Sequence, residues 1–509
     1  MRLPLLAIIC LNGFCLSFAA ESPVQIKSAV ERFVSSRAAG SVDEFADAAR
    51  QVRALAEAGQ PFFRFLLAVY SEQEPLCELP AKTRARYLSE GRPLLLRHAE
   101  EGNALAQYLL GVDCQSCMNR PADARDWFEQ ASGQDQPLAL NSLGLLYYHG
   151  AGVTQDFQRA SVYFRQAAMA GDSNGEYNLA TMYAQGHGVP RDDDMALHLY
   201  TRAASKGHSN AMNNLGWFYQ EGRGVERDLE KASRWYRCSA ERGNPDGQFN
   251  YGFMLARGMG RARDIRAAGL WYARAAGQGH TEAQVHIGVL YRDGLGVPQD
   301  DGKALAWFVK AVEKKHPMAQ FYVGQMYEQG RGVPQDNERA FRWYGKAAEQ
   351  DNPRAWNALG HMYYRGRFVD KDYDAAERQY RRAAEAGLAE AQNNLGMLYV
   401  RGEGVPQNHG QAAAWFAKAL AKGLPDAAYN LALLHEYGKG VQPSHVRAVE
   451  LCKQAARQGH VGATEWLVSN GYTAWADAEG GAAENSTGGL RPATSEINAR
   501  QALNREPAS

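Results

Sequence analysis

The sequence carries no excess of either charge: 56 Lys and Arg residues balance 56 Asp and Glu. No global field therefore favours nucleic acid or an anionic membrane as a partner. Beyond the first residues, no segment approaches the run of about 18 apolar residues that a membrane-spanning helix needs. Neither H-E-x-x-H nor G-x-x-x-x-G-K occurs, which removes the zinc-protease and P-loop readings. The 13 histidines do not cluster. A metal ion needs its ligands within about 2 Å, so no metal site and no cofactor is expected. Cysteine is scarce, at seven residues in 509. Cys114-Gln115-Ser116-Cys117 spells C-x-x-C, but no second pair completes a zinc site, and the βαβ setting of a redox pair is missing.

What the sequence has is repetition. Nine consecutive 36-residue copies run from Leu138 to Val461 without a gap, and Gly150, Gly186, Gly222, Gly258, Gly294, Gly330, Gly366, Gly402 and Gly438 share one phase. Such a period means stacked supersecondary units. In the third copy, Ala211, Leu215, Trp217, Phe218 and Tyr219 give a helical apolar pattern, and Gly222-Arg223-Gly224 ends it. Asp228 then sits where a second helix begins. The same phase holds Asp156, Asp192, Asp264, Asp300, Asp336, Asp372, Asn408 and Ser444, all residues whose side-chain oxygen caps a helix N-terminus. Ala232, Trp235, Tyr236 and Ala240 mark the second helix, and Gly243 closes it. Each copy is therefore an antiparallel helix pair that must stack on its neighbours to bury its apolar faces.

The expected organisation has six parts. Residues 1–19 read as a signal peptide: Arg2, the apolar run Leu3 to Leu11, and Ser17-Phe18-Ala19 with cleavage after Ala19. This implies a periplasmic or secreted protein. Residues 20–103 are degenerate helical repeats, 104–137 a shortened copy, 138–461 the nine regular copies and 462–473 a capping helix. Residues 474–509, rich in Gly, Ala, Asn and Ser, are expected to be a disordered tail. The mature chain would keep Cys77, Cys114, Cys117, Cys238 and Cys452, an odd number that leaves a thiol unpaired. Cys77 falls in the loop equivalent to that of the C-x-x-C, so a disulfide from Cys77 to Cys114 or Cys117 is expected.

The unit resembles a Sel1-like repeat, a relative of the tetratricopeptide repeat. Asn214-Leu215-Gly216, Tyr219, Gly222, Gly224-Val225, Asp228, Ala232, Trp235-Tyr236 and Gly243 carry the resemblance. It departs at Leu255 and Arg261 in copy four, at Phe368 and Gln379 in copy seven, and at His435, Leu451 and Cys452 in copy nine. The resemblance implies an all-α fold, a right-handed α-α superhelix (solenoid) of about twelve antiparallel helix pairs whose first helices line a concave groove. In related arrays, asparagines at the phase of Asn178, Asn214, Asn250, Asn394 and Asn430 grip the backbone of an extended peptide. An amide offers one acceptor and two donors for that task; the alternative is a bond within each repeat. By the same alignment Tyr177, Trp217, Phe249, Phe253, Val289 and Phe321 face the groove as an aromatic patch, or else tuck between helices as core. Arg202, Arg274, Lys310, Lys346, Arg382 and Lys418 form a basic row on the second helices, expected to be solvated. The expected function is a non-catalytic periplasmic or secreted scaffold or adaptor that binds a protein or peptide, without nucleic acid and without an integral membrane segment. Two alternatives are a hydrolase of the β-lactamase type, whose cysteine pair in each repeat is lacking here, and a binder of cell-wall or exopolysaccharide glycans.

Overall fold

The computed structural model describes residues 33, 42–57, 61–71, 78–134 and 136–472. The expected signal peptide, the tail beyond 472 and Cys77 lie outside the described residues. Among the described residues there are 24 helices and no strand. Consecutive helices pair, which is the arrangement of a repeat solenoid. In the regular copies nearly every helix is 13 residues long, whereas Pro61–Tyr70 has 10 and Ala81–Glu100 has 20.

The third copy shows why these residues fold as they do. Its first helix, Ser209–Glu221, ends on Gly222 at φ 71°, and the Gly222 N–H bonds to the Phe218 carbonyl. The Asp228 carboxylate accepts from the Lys231 N–H at 2.8 Å, starting the second helix, Leu229–Glu241. That backbone bond holds the Asp228 carboxyl below its ordinary pKa. The Asp228 N–H in turn donates to the Tyr219 carbonyl at 2.9 Å and closes the loop between the two helices. Gly224, at φ 60°, lies so near the preceding copy that a Cβ would sit 2.8 Å from the Asp193 carbonyl oxygen. Copy seven keeps the same left-handed turn without glycine, at Phe368 with φ 68°, a conformation that costs a bulky residue strain. Within the pair, Gly216 leaves room for the Tyr236 ring, 2.6 Å from where a Cβ would stand. The same fit recurs as Gly288 against Phe308 and Gly324 against Tyr344.

The phase at the start of the first helices holds Asp172, His208, Asn244, His280, His316, Asn352 and His460, with Gln136, Leu388 and Leu424 standing there without a side-chain cap. Asp172 and Asn244 cap through side-chain oxygens. His208, His316 and His460 do the same work with Nδ1, accepting from the Ala211, Ala319 and Ala463 N–H groups. The spacing of these histidines is thus a capping pattern. Nε2 of His316 reaches Glu282 at 2.9 Å, and that of His460 reaches Asp426 at 3.3 Å, each on the preceding first helix.

The described chain divides into two compact units, one ending at His280 and the other beginning at Thr281. In the first, Gln278 donates to Gln248 at 2.8 Å within copy four. In the second, Gln350 donates to Gln320 at 2.7 Å. Copy two replaces this amide pair with the fully buried Glu176, bound by Lys206 at 2.9 Å and Arg202 at 2.7 Å. The basic row is more than a solvated face. Lys310, Lys346 and Lys418 lie 4.2, 4.1 and 3.8 Å over the rings of Trp307, Trp343 and Trp415, close enough for cation–π attraction. The last helix among the described residues, Val461–Ser469, buries Trp466 and Leu467.

Candidate functional site

Two consecutive first helices, Ser209–Glu221 and Pro245–Arg257, build a pocket of about 260 Å³ in the first unit. Asn213, Asn214, Trp217 and Gln220 come from one helix. Phe249, Asn250 and Phe253 come from the other, and Tyr236 comes from the intervening second helix. Spacings of three and four residues put each set on one helical face. Every lining residue is uncharged. Asn250 Nδ2 donates to Asn213 Oδ1 at 2.9 Å. The Tyr236 hydroxyl donates to Gln220 at 3.2 Å, and burial pushes its pKa far above the ordinary value, so it stays neutral. Trp217 is 40% exposed, with the Arg223 guanidinium 4.8 Å over its ring. Arg223 is itself anchored by Asp193 at 3.1 Å and by the Ala184 carbonyl at 2.9 Å. Phe249 stacks on His280 at 4.7 Å, and Arg257 lies 4.9 Å over Phe253.

Asn214, Asn250, Trp217, Phe249 and Phe253 are thus brought together. Tyr177 lies one copy earlier, half-buried and stacked on His208 at 4.6 Å. The asparagine row bonds between copies rather than within them. Asn178 donates to Asn141 at 2.8 Å, Asn394 to Asn357 at 3.0 Å and Asn430 to Asn393 at 2.8 Å. Phe321 corrects the expectation of groove exposure: it is 8% exposed and belongs to a core cluster with Tyr344, Ala355 and Leu359, because the next first helix closes over it. Val289 is half-buried. Asn213, Gln220 and Tyr236 were not singled out from the sequence as pocket residues. The signal for Asn213 was present, since Asn141, Asn213, Asn357 and Asn393 each precede a row asparagine by one period and one residue.

The same phases in the second unit hold different chemistry. Arg292 and Glu328 stand at the phase of Gln220, and Gln325 and His361 at that of Trp217. Arg292, only 2% exposed, binds Asp293 at 2.8 Å and Gln325 at 3.0 Å and lies 4.5 Å over the Tyr322 ring. Glu328 accepts from the Tyr344 hydroxyl at 2.7 Å and pairs with Arg367 at 3.0 Å. Burial lowers the pKa of His361.

Cys114 and Cys117 carry thiols, and burial pushes both up to about 11, so neither is poised as a nucleophile. Among the described residues no group of His, Cys, Asp and Glu could hold a metal ion, and no helix is long and apolar enough to cross a membrane. Gly171-Asp172-Ser173-Asn174-Gly175 spells G-x-S-x-G, but it joins two helices, with Asp172 as a cap. The nucleophile elbow of that motif needs a strand before the turn.

Comparison with known proteins agrees with the repeat architecture. The family model for the Sel1 repeat matches ten consecutive stretches: 104–135, 137–172, 173–208, 209–244, 245–280, 281–316, 317–352, 353–388, 389–424 and 425–460. Among solved structures, c5321, a protective antigen of uropathogenic Escherichia coli strains displaying an SLR fold, is 28% identical, with a TM-score of 0.62; the match covers 88% of this chain and 99% of that one. A Sel1 repeat protein from Oxalobacter formigenes is 35% identical over 60% of this chain and 89% of its own, with a TM-score of 0.47. A search of curated proteins returns no match.

Proposed function

The chain belongs to the Sel1 repeat family, and on that premise we propose that it is a non-catalytic scaffold or adaptor that binds a protein or peptide along its first helices. The N-terminal residues support a periplasmic or secreted setting for that work. The observation that carries the reading is the neutral pocket between copies three and four, where a partly exposed tryptophan and two phenylalanines meet paired amides. Rigid aromatics of this kind dominate interface energetics, and amides recognise a peptide group whatever its side chain. An array of stacked helix pairs suits such binding, because successive copies present the same phases along one face.

The test is capture of partners by crosslinking in native extracts, with the full chain and with Asn214→Ala and Asn250→Ala combined. The double variant should keep its far-UV circular dichroism and lose about tenfold or more in capture, the effect of roughly 1.4 kcal/mol. Capture unchanged by the two substitutions would overturn the assignment of binding to this face.

A further inference from the structure

We propose that the pocket between Ser209–Glu221 and Pro245–Arg257 reads one bulky uncharged side chain of an extended peptide, while the Asn213–Asn250 pair holds the adjoining peptide group. This inference rests on the proposed scaffold reading and names what that face recognises. Size is the first argument. At about 260 Å³ the pocket falls below the range of small-molecule sites, about 300–1,000 Å³, and suits a single residue.

Charge is the second. Asn213, Asn214, Trp217, Gln220, Phe249 and Phe253 offer no ionised partner; the nearby Arg223 is already held by Asp193 and the Ala184 carbonyl, and Arg257 lies over the Phe253 ring on the exposed side. A carboxylate or ammonium buried among the lining side chains would lose its hydration with no ionised group in the lining to replace it. The amide pair is the third. The bond from Asn250 Nδ2 to Asn213 Oδ1 leaves outside it the Asn213 NH₂ and the Asn250 carbonyl oxygen, a donor group and an acceptor, which complement the C=O and N–H of a peptide group. The covering of the rings favours a side chain over a sugar. Arg223 lies over Trp217, His280 over Phe249 and Arg257 over Phe253, so the rings act as walls more than as open platforms.

The probe is a set of capped Gly/Ser peptides of about ten residues (long enough to cross one copy) that differ only at a central Phe, Leu, Gly, Asp or Lys. Binding to the full chain is read by NMR saturation transfer or tryptophan fluorescence. The expected result is that Phe and Leu peptides bind about tenfold tighter than Gly, Asp and Lys peptides. Asn214→Trp, which fills the pocket, and Trp217→Ala, which removes a wall, should each abolish that preference with circular dichroism unchanged. Binding that ignores the central residue but falls with Asn250→Ala would overturn this inference and leave the scaffold reading standing. Peptide binding indifferent to Asn250→Ala and Asn214→Trp would overturn both. Chitooligosaccharide binding lost in Asn214→Trp, with no peptide bound, would replace the peptide by a glycan. No peptide bound at millimolar concentration, and no glycan, would also overturn the inference.

Discussion

The first helices of copies three and four and those of copies five to seven share one backbone frame and diverge in chemistry. In the first unit the phase of Gln220 and Trp217 opens into a neutral pocket. In the second, Arg292 and Glu328 take the Gln220 phase, and each is bound by its own neighbours, Asp293 and Gln325 or Tyr344 and Arg367. A buried charge has to be paired by the protein, so those positions of the second unit are occupied from within. The uncharged phase leaves polar groups and ring surface open to a partner. Regular positions therefore define the frame, and irregular ones decide which stretch of it can bind.

The largest effect should come from the shared frame. Gly216→Val and Gly324→Val would drive a side chain into Tyr236 and Tyr344, whose ring atoms stand 2.6 and 2.8 Å from where a Cβ would be. Each should lose roughly 2–3 kcal/mol in chemical denaturation. A loss confined to one unit would break the claim that the frame is common to them.

A comparable effect should follow acidification. The buried ring of His208 has its pKa lowered to about 4 from an ordinary 6.5, chiefly by desolvation. The unfolded chain therefore takes up the proton first as pH falls. The stability contributed by neutral His208 is complete above about pH 6.5 and is lost between there and about pH 4. The loss is at most about 3 kcal/mol. His208→Asn should keep a cap, as Asn244 does at the same phase, and should flatten the profile. An unchanged slope in that variant would assign the acid sensitivity elsewhere.

The smallest stability effects, and the sharpest test of the comparison, come from exchanging the two chemistries. Glu328→Gln should cost about 1 kcal/mol by weakening the bonds to Tyr344 and Arg367. Gln220→Glu should change stability by about 0.5 kcal/mol or less, yet turn the preference for uncharged central residues toward lysine in the peptide series. Retention of the original preference would show that charge at this phase does not govern recognition.

Much of the frame is legible in the sequence. Gly222 and Asp228 announce a helix stop and a helix start, because a left-handed turn and a capping oxygen are local requirements. The role of His208, His316 and His460 was less legible. Their shared phase is plain, but imidazole capping shows only when the ring nitrogen meets its N–H. The candidate site was read in part. Asn214, Asn250, Trp217, Phe249 and Phe253 meet in one pocket, while Phe321 from a related phase is covered by the next first helix. No single-copy pattern distinguishes these outcomes, since they depend on the residues that the following copy lays alongside.

By itself the sequence determined the period, the helix pairs and their boundaries, since these rest on interactions within about one turn of each helix end. Tertiary structure alone decided that the asparagine row clasps successive copies, through bonds such as Asn250 to Asn213. It also decided which aromatic rings line a pocket and which complete the core, and which charges are neutralised from within. Those are contacts between residues 30 or more positions apart, and only stacking brings them together.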